Sequence, residues 1–239
     1  MRTDTVWQDK ALVEHFLTGV RAAIPFATDQ INVALQVVDR TGHRVHRIAD
    51  LGCGDGAIAQ AALIHYPDAH VTALDFSEPM LDQANQRLRS FRERVTLVQS
   101  DLYTADWQKG LEPFDVIFSG YCIHHLPDRR KQELYREIYH LLNPGGCFLN
   151  IEHVASPTPW VEALFNESLV DALYAWHLSQ GGTDSREVVA QRFVYWEDKK
   201  ANILTPVEVQ CNWLRAIGFQ QVDCFFKWYE LAVFGGVKK

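Results

Sequence analysis

Residues 47–63 read RIADLGCGDGAIAQAAL. A short apolar strand from Arg47 to Leu51 runs into Gly52-Cys53-Gly54-Asp55-Gly56, and a helix follows from about Ala57. Glycines between strand and helix let the chain turn sharply and let a ligand approach without Cβ atoms in the way. The helix N-terminus beyond them favours negative ligand groups. With Ala57 the stretch also satisfies G-x-G-x-x-[G/A], a dinucleotide pattern, and Asp75 stands where that pattern places its ribose-binding acid. An ordinary tight turn is the competing reading.

Outward from this loop, strands and helices alternate. Pro67 marks the end of the first helix. Val71 to Leu74 reads as a second strand ending at Asp75, with Ser77 as N-cap of the next helix and Pro79 in its first turn. Val95 to Val98 makes a third strand ending near Asp101, and Val116 to Ser119 a fourth. Asp128 opens a helix with Leu134, Ile138, Leu141 and Leu142 on its apolar face, stopped by Asn143-Pro144-Gly145-Gly146. Cys147 to Ile151 is the fifth strand. Such alternation means a parallel sheet with right-handed crossovers.

Upstream, apolar spacing from Thr5 to Asp39 predicts two helices broken near Pro25. Downstream the alternation lapses. Two helical stretches, from Thr158-Pro159 to Gly181-Gly182 and from Ser185 to Lys200, have no strand between them. Thr205-Pro206 then opens a helix ending near Gly218, and Val222 to Trp228 with Leu231 to Phe234 form an antiparallel pair. The expectation is one domain: a helical cover (1–44), a cofactor-binding core (45–152), a helical lid insert (153–204), and a C-terminal helix and hairpin that complete the sheet (205–239).

The 239 residues are 47 % hydrophobic and 22 % charged, enough for a sizeable core, with a formal net charge of -7. That charge disfavours a nucleic-acid partner, since Arg87, Arg89, Arg92 and Arg94 read as a solvated helix face. The five cysteines are an odd number without a C-x-x-C pair, the pattern of reduced cytosolic thiols. MRTDTVWQDKALVEHFL is no signal peptide, and no apolar run approaches the ~18 residues that span a bilayer. The expectation is a soluble cytoplasmic protein, with a homodimer left open.

Asp50, just before the first glycine, would sit near a cationic sulfonium but would repel a pyrophosphate. Asp101 offers a carboxylate to an adenine amino group, and the hairpin arrives too early for a second dinucleotide half. The balance favours S-adenosylmethionine over a nicotinamide cofactor. IADLGCGDGAIAQAAL, VTALDFSEPMLDQA, VTLVQSDL, FDVIFSGYCIHHLPD and LLNPGGCFLNIEH, in that order over residues 45–153, resemble the motifs of class I S-adenosylmethionine-dependent methyltransferases. The resemblance implies a Rossmann-like α/β fold, a three-layer structure with seven strands in order 3-2-1-4-5-7-6 and strand 7 antiparallel. It also implies that Asp50, Gly52, Gly54 and Gly56 line the methionine moiety and that Asp75 holds the ribose. Phe76 and Leu102 would flank the adenine, with Asp101 at its amino group. Ser119 and Tyr121 would line the cofactor after strand 4, and Cys53, Ser77 and Met80 complete the set.

The substrate rim of such a sheet carries Tyr121, His124, His125 and His153, candidate bases if the acceptor must lose a proton. His124, His125, Glu152 and His153 could also converge on a metal, but adjacent residues in an extended segment point opposite ways, so none is expected. Trp160, Tyr174, Trp176, Tyr195 and Trp196 of the insert suggest a lid for a small, partly apolar acceptor, though helical spacing equally predicts that they pack the insert down. The N-terminal helices, with Trp7 and Phe16, are expected to complete the same cover. Charge and the absence of an N-P-P-Y type motif favour a small-molecule acceptor. Competing readings are a cofactor-binding module without turnover, an enzyme using a modified cofactor such as carboxy-S-adenosylmethionine, a nicotinamide oxidoreductase, and a transfer-RNA modifying enzyme.

Overall fold

In a computed structural model of the chain, residues 4–18, 23–193 and 201–239 are described. Tyr195, Trp196 and the end of the helix expected from Ser185 to Lys200 lie outside them. Among the described residues, seven strands form one sheet: β1 (Arg47–Leu51), β2 (His70–Asp75), β3 (Val95–Gln99), β4 (Phe114–Gly120), β5 (Leu142–His153), β6 (Gln220–Trp228) and β7 (Leu231–Val237). Their order is β3-β2-β1-β4-β5-β7-β6. β1 to β5 run parallel, and β7 enters antiparallel to both β5 and β6.

The sheet is covered on both faces, so its central strands are apolar on both. On one side α2 (Ala27–Thr41), α3 (Ala57–His65) and α4 (Glu78–Leu88) bury Leu35, Val38, Ile58, Leu63 and Leu88 against Ile48, Val71, Val116, Phe118 and Leu149. On the other, α5 (Asp128–Leu141) and α8 (Val207–Ile217) bury Leu134, Ile138 and Leu214 against Ala49, Ile117, Phe148 and Phe234. Neighbouring residues of one strand, such as Phe148 and Leu149, thus divide between the two cores, the period-two alternation of a pleated strand. α1 (Lys10–Thr18), preceded by a 3-10 turn at Asp4–Gln8, lies at the C-terminal rim of the strands beside α4.

Two sequence expectations change. The helix stops at Leu141, but Leu142, expected on its apolar face, and Asn143-Pro144-Gly145-Gly146 belong to β5 as a bulge: Leu142 pairs with Phe114, the register shifts, and Cys147 resumes with Val116. The last strand does not end at Phe234 but continues through Gly235 and Gly236. A Cβ on Gly235 would sit 1.9 Å from the Phe148 carbonyl oxygen, so glycine there lets two backbones approach closely.

The insert folds as α6 (Pro159–Ser179) and α7 (Arg186–Phe193). Thr158 caps α6 by accepting the Val161 N–H at 3.3 Å, with Pro159 in the first turn. Val170, Leu173 and Val189 form a small core of their own with Ala23, against which Tyr174 and Trp176 pack.

Candidate active site

The glycine loop is held by the strand beside it. The Cys53 N–H donates to the Leu74 carbonyl at 2.9 Å, and the Gly54 N–H donates to Asp75 Oδ2 at 2.8 Å. Gly52, Gly54 and Gly56 have φ of 65°, 53° and 81°, the left-handed region that side chains rarely enter. A Cβ on Gly52 would lie 2.1 Å from Cys122 Sγ, whereas one on Gly54 would meet nothing nearer than Met80 Sδ at 4.0 Å. The Gly54 side of the loop is therefore an open cradle.

That cradle forms one wall of a cleft of about 900 Å³, counting its open mouth, which lies beyond the carboxyl ends of the strands. The cleft brings together Gly52, Cys53, Gly54, Asp75, Phe76, Met80, Asp101, Leu102, Tyr121 and His125 from the sequence-predicted set. Asp75 also accepts the Ser77 N–H at 2.8 Å, and burial pushes its carboxyl up while these backbone N–H groups pull it down. Tyr121 sits in a left-handed conformation, φ 52°, with its N–H on the Ile151 carbonyl and its hydroxyl donating to Gln30 Oε1 at 2.7 Å.

Other predicted residues stand behind the lining. Asp50, expected beside the sulfonium, accepts the Ala59 N–H on Oδ2 at 3.0 Å and tethers the first turn of α3. Gly56 is the N-cap of α3. Ser119 donates to the Leu51 carbonyl at 2.8 Å, and Ser77 caps α4 by accepting the Met80 N–H. Trp160 is 71 % exposed on α6, and Tyr174 and Trp176 pack within the insert, so none of the three joins the lining.

The roof comes from the N-terminus instead. Asp4, Trp7, Phe16 and Leu17 line the cleft. Trp7 is fastened twice: its carbonyl accepts the Ser77 hydroxyl at 2.5 Å, and its indole N–H donates to His125 Nε2 at 3.2 Å. His125 Nδ1 faces the Ala201 carbonyl at 3.4 Å, which sets the Nδ1-protonated tautomer. Burial, with His124 alongside, holds His125 down to about 3, so its ring is neutral. Sequence reasoning did not find Asp4 or Cys122. A lone acid in a polar terminus carries no periodic signal, and Cys122 is marked only by its closeness to Tyr121.

His124 and His153 belong to a buried network under the rim. His124 Nδ1 lies 2.5 Å from Glu152 Oε1, and the His124 N–H donates to Glu152 Oε2 at 3.0 Å. His153 Nε2 meets Glu230 Oε2 at 2.7 Å. Burial pushes Glu152 up to about 7 and holds His124 well below the usual imidazole range. Both shifts resist charge. Lys131, buried beside them, donates to Asp128 and to Thr205 Oγ1 at 2.6 Å and to the Ile203 carbonyl. Among the described residues no three His, Cys, Asp or Glu side chains are grouped to hold a metal.

Residues 48–146, from β1 through the glycine loop to the bulge of β5, match the family model described as a methyltransferase domain. That stretch is similar to a methyltransferase domain, and the order of the seven strands is the one that the class I S-adenosylmethionine-dependent methyltransferase resemblance implies. The chain is 23 % identical to a carboxy-S-adenosyl-L-methionine synthase of Campylobacter lari, over 92 % of this chain and 88 % of that one. It is 27 % identical to the corresponding synthase of Shewanella amazonensis, over 92 % and 87 %. Among solved structures it shares the fold of human N-acetylserotonin methyltransferase in complex with SAM (TM-score 0.62, 18 % identity), covering 98 % of this chain and 57 % of that chain.

Proposed function

We propose that this enzyme transfers a methyl group from S-adenosylmethionine to a small-molecule acceptor in the cytoplasm. One observation carries the reading: the open cradle at Gly54 and the acids ending β2 and β3 share a single cleft with an aromatic roof. The cofactor fits the cradle, because Asp75 and Asp101 supply acceptors for ribose and adenine while Phe76, Met80 and Leu102 supply apolar walls. When bound, it supplies a methyl group on a cationic sulfur. The chain's own part is to orient both partners and keep water out beneath Trp7, Phe16 and Leu17, since positioning accounts for much of the acceleration of an in-line displacement. All five cysteines are unpaired, in keeping with a reducing compartment, and no described helix is long and apolar enough to cross a membrane.

A second reading has its own support, because the carboxy-S-adenosylmethionine synthases match nearly end to end. A carboxylated cofactor calls for a cation near its carboxylate, and no Lys or Arg is among the described lining residues. Calorimetric titration with S-adenosylmethionine, S-adenosylhomocysteine and NADH comes first, followed by mass spectrometry of the turnover products. Binding of the two adenosyl ligands and release of S-adenosylhomocysteine support methyl transfer. A cofactor heavier by one carboxyl group would establish the second reading, and binding of NADH alone would end both.

A further inference from the structure

Among the described residues, Phe26, Tyr121, Gln221 and Tyr229 are the non-glycine positions with positive φ, and of these Tyr121 lines the cleft. Its neighbours are wedged against the glycine loop and the helix that follows it. Cys122 Sγ leaves no room for a Cβ on Gly52, and Ile58 leaves none for one on Gly120. An aromatic residue in the left-handed region costs conformational energy and persists only where its surroundings hold it. The Ile151 carbonyl holds the Tyr121 backbone at 2.8 Å, and Gln30 Oε1 holds its hydroxyl at 2.7 Å.

Gln30 stands in the first turn of α2, 91 residues away in sequence, and is fully buried. An amide is costly to bury and is kept where it finds partners. Both ends of this one are used: Oε1 takes the Tyr121 hydroxyl, and Nε2 donates to the Pro25 carbonyl at 3.0 Å. α2 begins on Phe26 without a side-chain cap, and the Pro25 bond ties that turn down from within. Phe26 in turn packs on Phe226 and Trp228 of β6, with ring centroids 6.0 and 5.5 Å apart. The amide therefore joins the ring in the cleft to a turn braced on the hairpin. An apolar side chain of the same length would pack α2 equally well, so the amide is there for its hydrogen bonds.

We infer that Gln30 is a positioning residue of the cofactor site, holding the Tyr121 ring in the orientation that the bound cofactor needs. The inference rests on the S-adenosylmethionine reading above. Gln30 is not among the described lining residues, so it acts through Tyr121. If the ring is released, only a fraction of the molecules is ready to bind, and the apparent Kd rises by the inverse of that fraction.

The test measures S-adenosylhomocysteine affinity by calorimetry, and melting temperature beside it, on the full chain and its variants. Gln30→Met, similar in size but without an acceptor, should raise the Kd roughly 5- to 10-fold. Gln30→Glu keeps an acceptor for the hydroxyl and should recover most of that affinity, even where its melting temperature falls. Tyr121→Phe removes the same bond from the other side and should weaken binding by a similar factor. Joined in one chain, Tyr121→Phe and Gln30→Met should bind within about twofold of either alone, because together they remove one bond. A Gln30→Met protein that melts earlier with an unchanged Kd overturns the inference and leaves the amide a purely structural group. Effects that multiply in the double variant overturn it too, as does a Gln30→Glu protein that regains no affinity. An unchanged Kd in Tyr121→Phe also overturns it, and that variant decides if Gln30→Met does not fold. In all of these cases the parent still binds S-adenosylhomocysteine and the reading of the cleft stands. A parent that binds neither adenosyl ligand overturns both.

Discussion

At the residue scale the loop depends on side chains that accept backbone N–H groups. Asp75 accepts two, from Gly54 and Ser77, and faces the cleft as well. Replacing it with Ala should weaken S-adenosylhomocysteine binding by roughly 1.5–3 kcal/mol, the range for hydrogen bonds to a charged group, read as a higher calorimetric Kd. An unchanged Kd would remove Asp75 from the cofactor site. Gly52→Ala should destabilise the fold by at least about 1 kcal/mol, from left-handed strain together with the clash on Cys122 Sγ. Adding Cys122→Ala should return only part of the lost melting temperature, because the strained φ stays. The glycines and Asp75 were legible because their conformational and charge demands are local. The contact by which Asp50 tethers α3 was not legible, because sequence gives its position beside the loop but not the backbone group its carboxylate accepts.

At the element scale, Asp115 at the start of β4 joins three segments. It accepts the His46 and Arg47 N–H groups at 2.8 and 2.9 Å, the Asn143 amide at 2.8 Å, and lies 3.1 Å from His43 Nε2. Burial works against its charge, but these hydrogen bonds outweigh it and hold the carboxyl below its ordinary value. A depressed carboxyl lends stability above its unfolded pKa and loses it as pH falls through the folded one. Asp115→Asn should therefore cost about 1–3 kcal/mol at pH 7 in urea unfolding, with the deficit closing as pH drops below 4. A deficit independent of pH would mean that shape, not charge, is what matters there. The alternation of strands and helices was legible because hydrophobic periodicity is strong. The NPGG bulge and the Gly235-Gly236 stretch were not, because glycine reads as punctuation until the neighbouring strand is known. Of the insert's aromatics expected as a lid, Tyr174 and Trp176 pack against a small core among α6, α7 and Ala23, while Trp160 is exposed.

Across the whole molecule, the buried Glu152 joins the rim to β5 and the hairpin. With its carboxyl raised to about 7 from 4.5, the folded state binds more protons between those values, so stability falls as pH rises through that window and is level above it. His124, held below 6.5, has the opposite slope: stability rises with pH up to 6.5. Glu152→Gln should lower the melting temperature overall, because an amide cannot accept all three N–H groups now on the carboxylate. It should also abolish the decline between pH 6.5 and 7 expected of the parent. Parallel curves for the two proteins would show that Glu152 does not titrate in that range. Sheet order came from the family resemblance, because motif order shows where strands end but not which strands are neighbours. The N-terminal cover with Trp7 and Phe16 was legible, but its fastening was not, because Trp7 meets His125 across 118 residues and no local pattern encodes such a meeting.

The two hydrogen bonds that fasten Trp7 have a kinetic meaning. Each neutral bond contributes about 0.5–1.5 kcal/mol, so lifting that turn costs on the order of 1–3 kcal/mol. A latch of that strength stands open in roughly one molecule in five to one in two hundred. Traffic through the doorway would then be frequent and brief, and the time a product spends inside would be set as much by this latch as by its own affinity.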